Sequence, residues 1–222
     1  MKKVSKLLSI AAVSCLTLAS FTVSADEKRE YEVSITNLTK GVYFTPFLAA
    51  THNKKQKLFN LGRPASENLV AVAEAGDISG LKDELSRSPN VAKTAATEGL
   101  LAPGDSVKLK ISAYGNFKRL SLVSMLLPTN DTMVALTGDR LPRKVNSYES
   151  YLMNAYDAGS EMNDELCMSI PGPQCGGAAL SPEDQGEGYV YPSPGIHGEG
   201  ELSRAVYQWD GPVAKVVVKR VR

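Results

Sequence analysis

Short segments in which apolar and polar residues alternate, separated by turn-forming residues, restrict the fold more than any other feature of this sequence. Tyr31–Asn37 and Ser106–Tyr114 alternate as strands with one buried face do. Gly115-Asn116 and the Pro128–Asp131 segment are turn signals between neighbouring candidates. The further strand candidates are Arg119–Leu127, Thr132–Leu136 and Val213–Val221. Because each such strand must cover one apolar face, the pattern predicts a mainly β, two-layered antiparallel sandwich.

Short helices are expected in an early insertion between these strands. Ser66–Ala75 has a helical apolar stripe, and Gly76 is placed to end it. Asp77 can cap a second short helix. Ser88–Gly104 contains many small residues and is expected to be an irregular connector. Ser147–Tyr156 fits a strand or a helix.

The N-terminal region has the layout of a secretory signal peptide. Met1–Lys6 contains three lysines, Leu7–Val23 is almost wholly apolar or small, and Val23-Ser24-Ala25 offers a small-residue cleavage site. Residues 1–25 are therefore predicted to be removed after Ala25, leaving residues 26–222 as one exported domain, periplasmic or secreted. A retained membrane anchor and lipid attachment at Cys15 are the alternatives. No later segment is apolar enough to span a bilayer, so no transmembrane segment is expected in the mature chain.

The charge balance excludes one large class of partners. The chain has 25 basic and 24 acidic residues, and loss of the three lysines of the signal leaves 22 basic residues. Such a chain has no strongly basic field with which to neutralise phosphates, so nucleic acid is not an expected partner.

Two cysteines remain after signal removal. Cys167 and Cys175 are separated by seven residues. In an oxidising compartment a disulfide between them is the default expectation, with two reduced thiols as the alternative.

Acidic and amide side chains form two groups suited to a hard cation. Asp131 ends a turn between two strand candidates, and the segment from Asp157 through Glu161 to Asn163 places oxygen-bearing side chains at alternate positions. Ca²⁺ takes six to eight oxygen ligands at roughly 2.3–2.6 Å. The second segment is not an EF-hand, because Met162 and Met168 occupy its sixth and twelfth positions. Spacing alone favours a turn cap at Asp131 and a solvated acidic loop after it.

Recognisable catalytic motifs are missing from the sequence. It has no G-x-S-x-G, H-E-x-x-H or P-loop pattern, and His52 and His197 are its two histidines. A hydrolase or a transition-metal protein would have to use one or both of them. Nothing in the sequence supplies the nucleophile and base that a hydrolase needs.

Several segments resemble one known family in order along the chain. Pro64–Asp77 contains the A-S-E segment and A-E-x-G end of that family, Asp157–Glu161 resembles its D-A-G-T-D motif, and Val213–Val221 resembles its closing strand. Tyr31–Asn37 resembles its opening strand and Leu120–Asp131 its M…P-S-x-D strand and turn. The chain thus resembles the spondin N-terminal domain family, found in F-spondin and mindin, and is similar to a stand-alone bacterial member.

The resemblance implies a C2-like antiparallel β-sandwich that binds Ca²⁺ at one end. The residues matching the metal ligands are Asp131, Asp157 and Glu161, with Glu161 replacing the usual second aspartate. It also implies an extracellular adhesion or recognition role and no catalysis. We expect a monomer whose partner is a surface protein or glycan of unknown identity. A metal-free structural envelope protein is the remaining alternative.

Overall fold

A computed structural model describes residues 27–180 and 185–222, so the predicted signal peptide lies outside the described residues. The strands of the described part, numbered in chain order, are β1 Arg29–Asn37, β2 Tyr43–Phe44, β3 Leu48–His52, β4 Val91–Ala96, β5 Ser106–Ala113, β6 Arg119–Leu127, β7 Thr132–Arg140, β8 Tyr148–Asp157, β9 Tyr191–Pro192 and β10 Ala214–Arg220. The helices are α1 Glu67–Ala75, α2 Ser79–Arg87 and α3 Arg204–Tyr207, with a 3-10 turn at Cys167–Ser169.

The strands form one antiparallel sheet in the order β4-β3-β6-β7-β8-β10-β1-β5, to which β2 and β9 add short pairings. The sheet folds over so that its two ends meet. Thr51 in β3 donates a hydrogen bond of 2.8 Å from Oγ1 to the carbonyl oxygen of Ser112 in β5. The predicted mainly β fold is confirmed as a nearly closed, sandwich- or barrel-like sheet.

Alternating side chains of the central strands pack on two different cores. Leu122 and Val134 point into the sheet interior, where they join the main buried cluster. Their neighbours Val123 and Met133 face the opposite side and join a second cluster formed with the helices. Strand β6 and the first five residues of β7 therefore bury both faces, which explains their continuous runs of buried residues.

The first helix of the insertion has the predicted caps, whereas the N-cap of α2 is Ile78 and not the predicted Asp77. Ser66 is the N-cap of α1, where its side chain accepts a hydrogen bond from the Leu69 N–H, and Gly76 ends the helix in the left-handed conformation at φ 65°. The Asp77 carboxylate accepts a hydrogen bond of 2.8 Å from the Ser79 N–H at the start of α2. The insertion lies between β3 and β4, as expected.

One part of the expected secondary structure is wrong and one alternative is decided. The predicted connector Ser88–Gly104 contains β4. This strand pairs with β3, from Leu48 opposite Ala96 to His52 opposite Val91. Its sequence VAKTAA is rich in small residues and only partly buried, so it lacks the alternation of the other strands. The ambiguous segment Ser147–Tyr156 corresponds to strand β8.

The predicted disulfide is confirmed. Cys167 and Cys175 are bonded, with an S–S distance of 2.02 Å. The bridge packs against a small buried cluster formed by Ile170, Ile196 and Leu202. It thus joins a local core in the long segment between β8 and β10. None of the helices in the described part of the chain could span a lipid bilayer.

Candidate metal site at one end of the sheet

The turn between β6 and β7 and the loop after β8 lie against each other at one end of the sheet. The pairing of β7 with β8 sets Thr132 opposite Asp157. One residue beyond this pair, the Ala158 N–H donates to the Asp131 carbonyl oxygen at 3.1 Å. The ladder therefore brings Asp131 and Asp157 together, although they are far apart in the sequence.

The carboxylate of Asp131 is fully buried and only partly used by hydrogen bonds. Its Oδ2 accepts from the Ser160 N–H at 2.8 Å, the Ser160 hydroxyl at 3.2 Å and the Glu161 N–H at 3.1 Å. Its Oδ1 is buried and has no hydrogen-bond partner among the described residues. A buried carboxylate oxygen left in this way is costly unless a cation or donor completes it.

Asp157 is also fully buried, and its two oxygens are held by different neighbours. Oδ1 accepts from the Gly159 N–H at 2.8 Å, and Oδ2 accepts from the Asn163 side-chain amide at 2.8 Å. The Asn163 amide also donates to the Tyr191 hydroxyl at 3.1 Å. These contacts orient the carboxylate within the loop.

Glu161 completes the set of residues expected from the sequence. Its side chain is 3% exposed, and its N–H contacts Asp131. Yet in residues 27–180 and 185–222 no three His, Cys, Asp or Glu side chains converge closely enough to form a ready metal cluster. The three acids share one loop end, while their role as ligands stays a prediction.

The electrostatics of the two aspartates are those of a buried acidic pair. Burial, followed by the negative charge of Asp157, raises the pKa of Asp131 from 3.8 to about 7, against the opposing effect of its hydrogen bonds. Burial also raises the pKa of Asp157, with a smaller contribution from the charge of Glu187, while the Asn163 and Gly159 contacts lower it. A divalent cation bound there would lower the pKa of both aspartates, because it favours the charged carboxylates.

The segment that contains Glu187 packs closely on the acidic loop through glycine. Gly159 has a φ of 67°, and a Cβ on it would overlap the Tyr189 carbonyl oxygen. A Cβ on Gly186 would overlap the Gly159 carbonyl oxygen, and the Gly188 N–H donates to the same oxygen at 2.8 Å. Glycine is therefore required where the two backbones meet.

Glu165, at the end of the acidic run, has a different structural role. The buried Glu165 carboxylate accepts hydrogen bonds from the backbone N–H groups of His197, Gly198 and Glu199. Its own N–H donates to Asn130 Oδ1 at 3.2 Å. Glu165 thus attaches a later loop to the turn that carries Asp131. Alternation in the sequence does not distinguish this role from metal binding.

The two histidines have separate surroundings. His52 is buried, with Nδ1 2.7 Å from the Asn53 carbonyl oxygen and Nε2 2.8 Å from the Ser121 hydroxyl. Burial lowers the pKa of His52, so the ring is neutral at pH 7. Although His52 and Ser121 resemble a base and a nucleophile, they are only 1% and 2% exposed, which leaves no access for a substrate. The ring Nδ1 of His197 lies 4.0 Å from Glu165 Oε1.

Sequence reasoning from the motifs missed several parts of this site. Ser160, Asn163 and Tyr191 hold the two aspartates, and Glu187 adds a negative charge near Asp157. Asn163 is the exception, because the sequence pattern named it among the oxygen-bearing side chains of the acidic run. Tyr191 and Glu187 come from a segment with no periodicity, so the sequence offered no signal for them.

One comparison with known proteins finds a family model that matches the part of the chain from β1 to β8. The family model described as Spondin_N matches residues 29–164 of the chain. The matched segment begins with β1 and contains Asp131, Asp157 and Glu161. No sequence among the curated proteins matches this chain.

Proposed function

The chain belongs to the spondin N-terminal domain family, and on that premise we propose that it is an exported, calcium-binding recognition module without catalytic activity. The family consists of extracellular domains, and the disulfide between Cys167 and Cys175 suits an oxidising compartment. We place its activity at the cell envelope or outside the cell, where it would recognise a surface protein or a glycan.

The observation that carries the calcium proposal is the buried Asp131 Oδ1, which has no hydrogen-bond partner among the described residues. It lies beside a second buried aspartate, and each raises the cost of ionising the other. Oxygen donors in flexible loops are the ligands that Ca²⁺ prefers. Asp131, Asp157 and Glu161 would hold the ion, and Glu187 is near enough to add to its negative surroundings.

The effect of the ion would be structural. It would neutralise the acidic pair and connect the turn after β6 to the loop after β8. Because Glu165 and the segment around Tyr189 contact the same elements, their order would depend on the ion as well. Calcium would in this way organise the surface at one end of the sheet for a partner.

The absence of catalysis is supported by the arrangement around the histidines. The hydrogen-bonded His52 and Ser121 are both closed to a substrate. His197 contacts a carboxylate that already accepts several backbone hydrogen bonds. Neither surrounding combines an exposed nucleophile with a base.

Thermal unfolding in calcium and in chelator tests the proposal. Wild-type protein should unfold at a higher temperature in calcium, because an ion that binds only the folded state stabilises it by mass action. The Asp157→Asn variant keeps an acceptor for the Gly159 N–H but loses a charge, and should respond weakly or not at all.

Asp105→Asn is the matched control, because Asp105 is exposed and lies in another loop. It should respond as the wild type does. Superimposable wild-type curves in calcium and chelator would remove the metal from the proposal, and an undiminished response in Asp157→Asn would remove this site.

A further inference from the structure

A cationic cavity lies at the end of the sheet opposite the acidic loop. Its volume is about 340 Å³, and it is bordered by the start of β1, the end of β10 and the turns that follow β5 and β7. Arg29, Lys118, Arg143 and Arg220 line it, and Glu27 is the one carboxylate among the described lining residues. The lining therefore carries a clear excess of positive charge.

Two of the guanidinium groups are fixed by main-chain oxygens. Arg29 donates from one nitrogen to the Gly115 and Phe117 carbonyl oxygens at 2.9 and 3.1 Å. Arg220 donates from Nε to the main-chain oxygen of Arg222 at 2.8 Å and from Nη1 to the Arg143 carbonyl oxygen. The Arg29 contacts are to peptide carbonyls, which orient its guanidinium without neutralising it.

Among the described side chains, the positive charge of the cavity is poorly compensated. The Arg220 side chain is 11% exposed, and its ion-pair partner Glu27 is 3.6 Å away and 81% exposed. A mostly solvated partner at that distance contributes little. The Arg29 Nε is buried and has no hydrogen-bond partner among the described residues. The Arg29 guanidinium therefore has an unpaired donor, and an anion is the partner that would complete it.

We propose that this cavity binds a small tetrahedral oxyanion, a phosphate or sulfate group. The fixed arginines supply planar, charge-assisted donors, and Lys118 and Arg143 supply mobile charge at the exposed rim. The cavity is larger than one such ion, and Leu141 and Pro142 give it an apolar wall. The anion can therefore be free or be attached to a small organic molecule. This site is independent of calcium.

Isothermal titration calorimetry tests the site on the full chain in a phosphate-free buffer that contains chelator. One titrant is inorganic phosphate and the other is glucose 6-phosphate. Lys118→Gln/Arg143→Gln removes two exposed cations but keeps the Arg143 carbonyl that holds Arg220. Lys40→Gln/Lys82→Gln removes two exposed cations far from the cavity and is the matched control.

We expect the wild type to bind at least one titrant and the cavity variant to weaken binding by roughly tenfold or more, since each lost charge-assisted contact matters for affinity. The control should stay within about twofold of the wild type. Binding of inorganic phosphate identifies a free anion, and binding of the ester alone identifies an anionic group on a larger ligand. No binding of either titrant, or equal weakening in both variants, overturns the proposal. Melting curves of all three proteins establish that each is folded.

Discussion

Replacing Asp131 by asparagine should stabilise the calcium-free protein at pH 8 and remove its stabilisation by calcium. In the Asp131→Asn variant the side-chain amide oxygen would accept the Ser160 and Glu161 N–H bonds that Asp131 Oδ2 now accepts. The amide nitrogen would take the place of the buried Oδ1, which has no hydrogen-bond partner among the described residues. The substitution removes a buried charge while leaving the size of the side chain unchanged.

The magnitude follows from the pKa of Asp131, which is raised on folding from 3.8 to about 7. An acid with a raised pKa contributes its full stability below about pH 4, and that contribution is lost as the pH rises to about 7. At about 1.4 kcal/mol per pKa unit, ionised Asp131 costs the calcium-free fold up to about 4 kcal/mol. Because the cost is shared with Asp157, we expect the variant to recover about 1–3 kcal/mol at pH 8.

Urea unfolding with chelator at pH 5 and pH 8, repeated in calcium at pH 8, measures these effects. The variant's advantage should be largest at pH 8 and less than half as large at pH 5, where Asp131 is mostly protonated in the folded wild type but ionised in the unfolded chain. Calcium at a thousand times its dissociation constant should stabilise the wild type by about 4 kcal/mol and leave the variant unchanged. Asp105→Asn should match the wild type throughout. A variant that is destabilised equally at both pH values and still responds to calcium would show that ionised Asp131 neither destabilises the calcium-free fold nor binds the ion.

Three further perturbations test other parts of the account. Calcium affinity should fall as the pH drops below about 7, because Asp131 must lose its proton to bind the ion. Calorimetry in buffers of different ionisation enthalpy should show that calcium binding releases protons. A calcium affinity that stays constant between pH 6 and 8 would contradict this. Gly159→Ala should lower the free energy of unfolding by about 2–4 kcal/mol, since its Cβ would overlap the Tyr189 carbonyl oxygen. The matched control Gly99→Ala has the same φ of 67° but open space around it, so it should cost only about 1 kcal/mol, and equal losses at both positions would contradict the close contact. Cys167→Ser should lower the free energy of unfolding in chemical denaturation by about 2–3 kcal/mol, a modest loss because the closed loop is short. An unchanged unfolding midpoint would show that the disulfide does not stabilise the fold.

Most of the fold could be predicted from strong local signals in the sequence. β1, β5 and β10 alternate because one face of each is buried in the main core. The helix Glu67–Ala75 was predictable because the Ser66 hydroxyl accepts a hydrogen bond at its start and Gly76 readily adopts the left-handed conformation at its end. The wrongly predicted connector shows the opposite case, because β4 is determined by its pairing with β3 and its own residues carry little preference.

The candidate site was predictable to a smaller extent. Asp131, Asp157 and Glu161 stood out through family motifs, and the β7–β8 pairing explains why the first two meet. Glu165 belongs to the same acidic run, yet its carboxylate binds backbone N–H groups of a later loop. Tyr191 reaches the site through the pairing of β9 with β8, a two-residue contact that no local pattern indicates.

A crystal structure grown in millimolar calcium would show whether the acidic loop end binds the ion. We expect an ion there, with an Asp131 oxygen and oxygens of Asp157 and Glu161 at roughly 2.3–2.6 Å from it. The same end of the sheet without an ion, with Asp131 and Asp157 bound only to their present hydrogen-bond donors, would contradict this expectation.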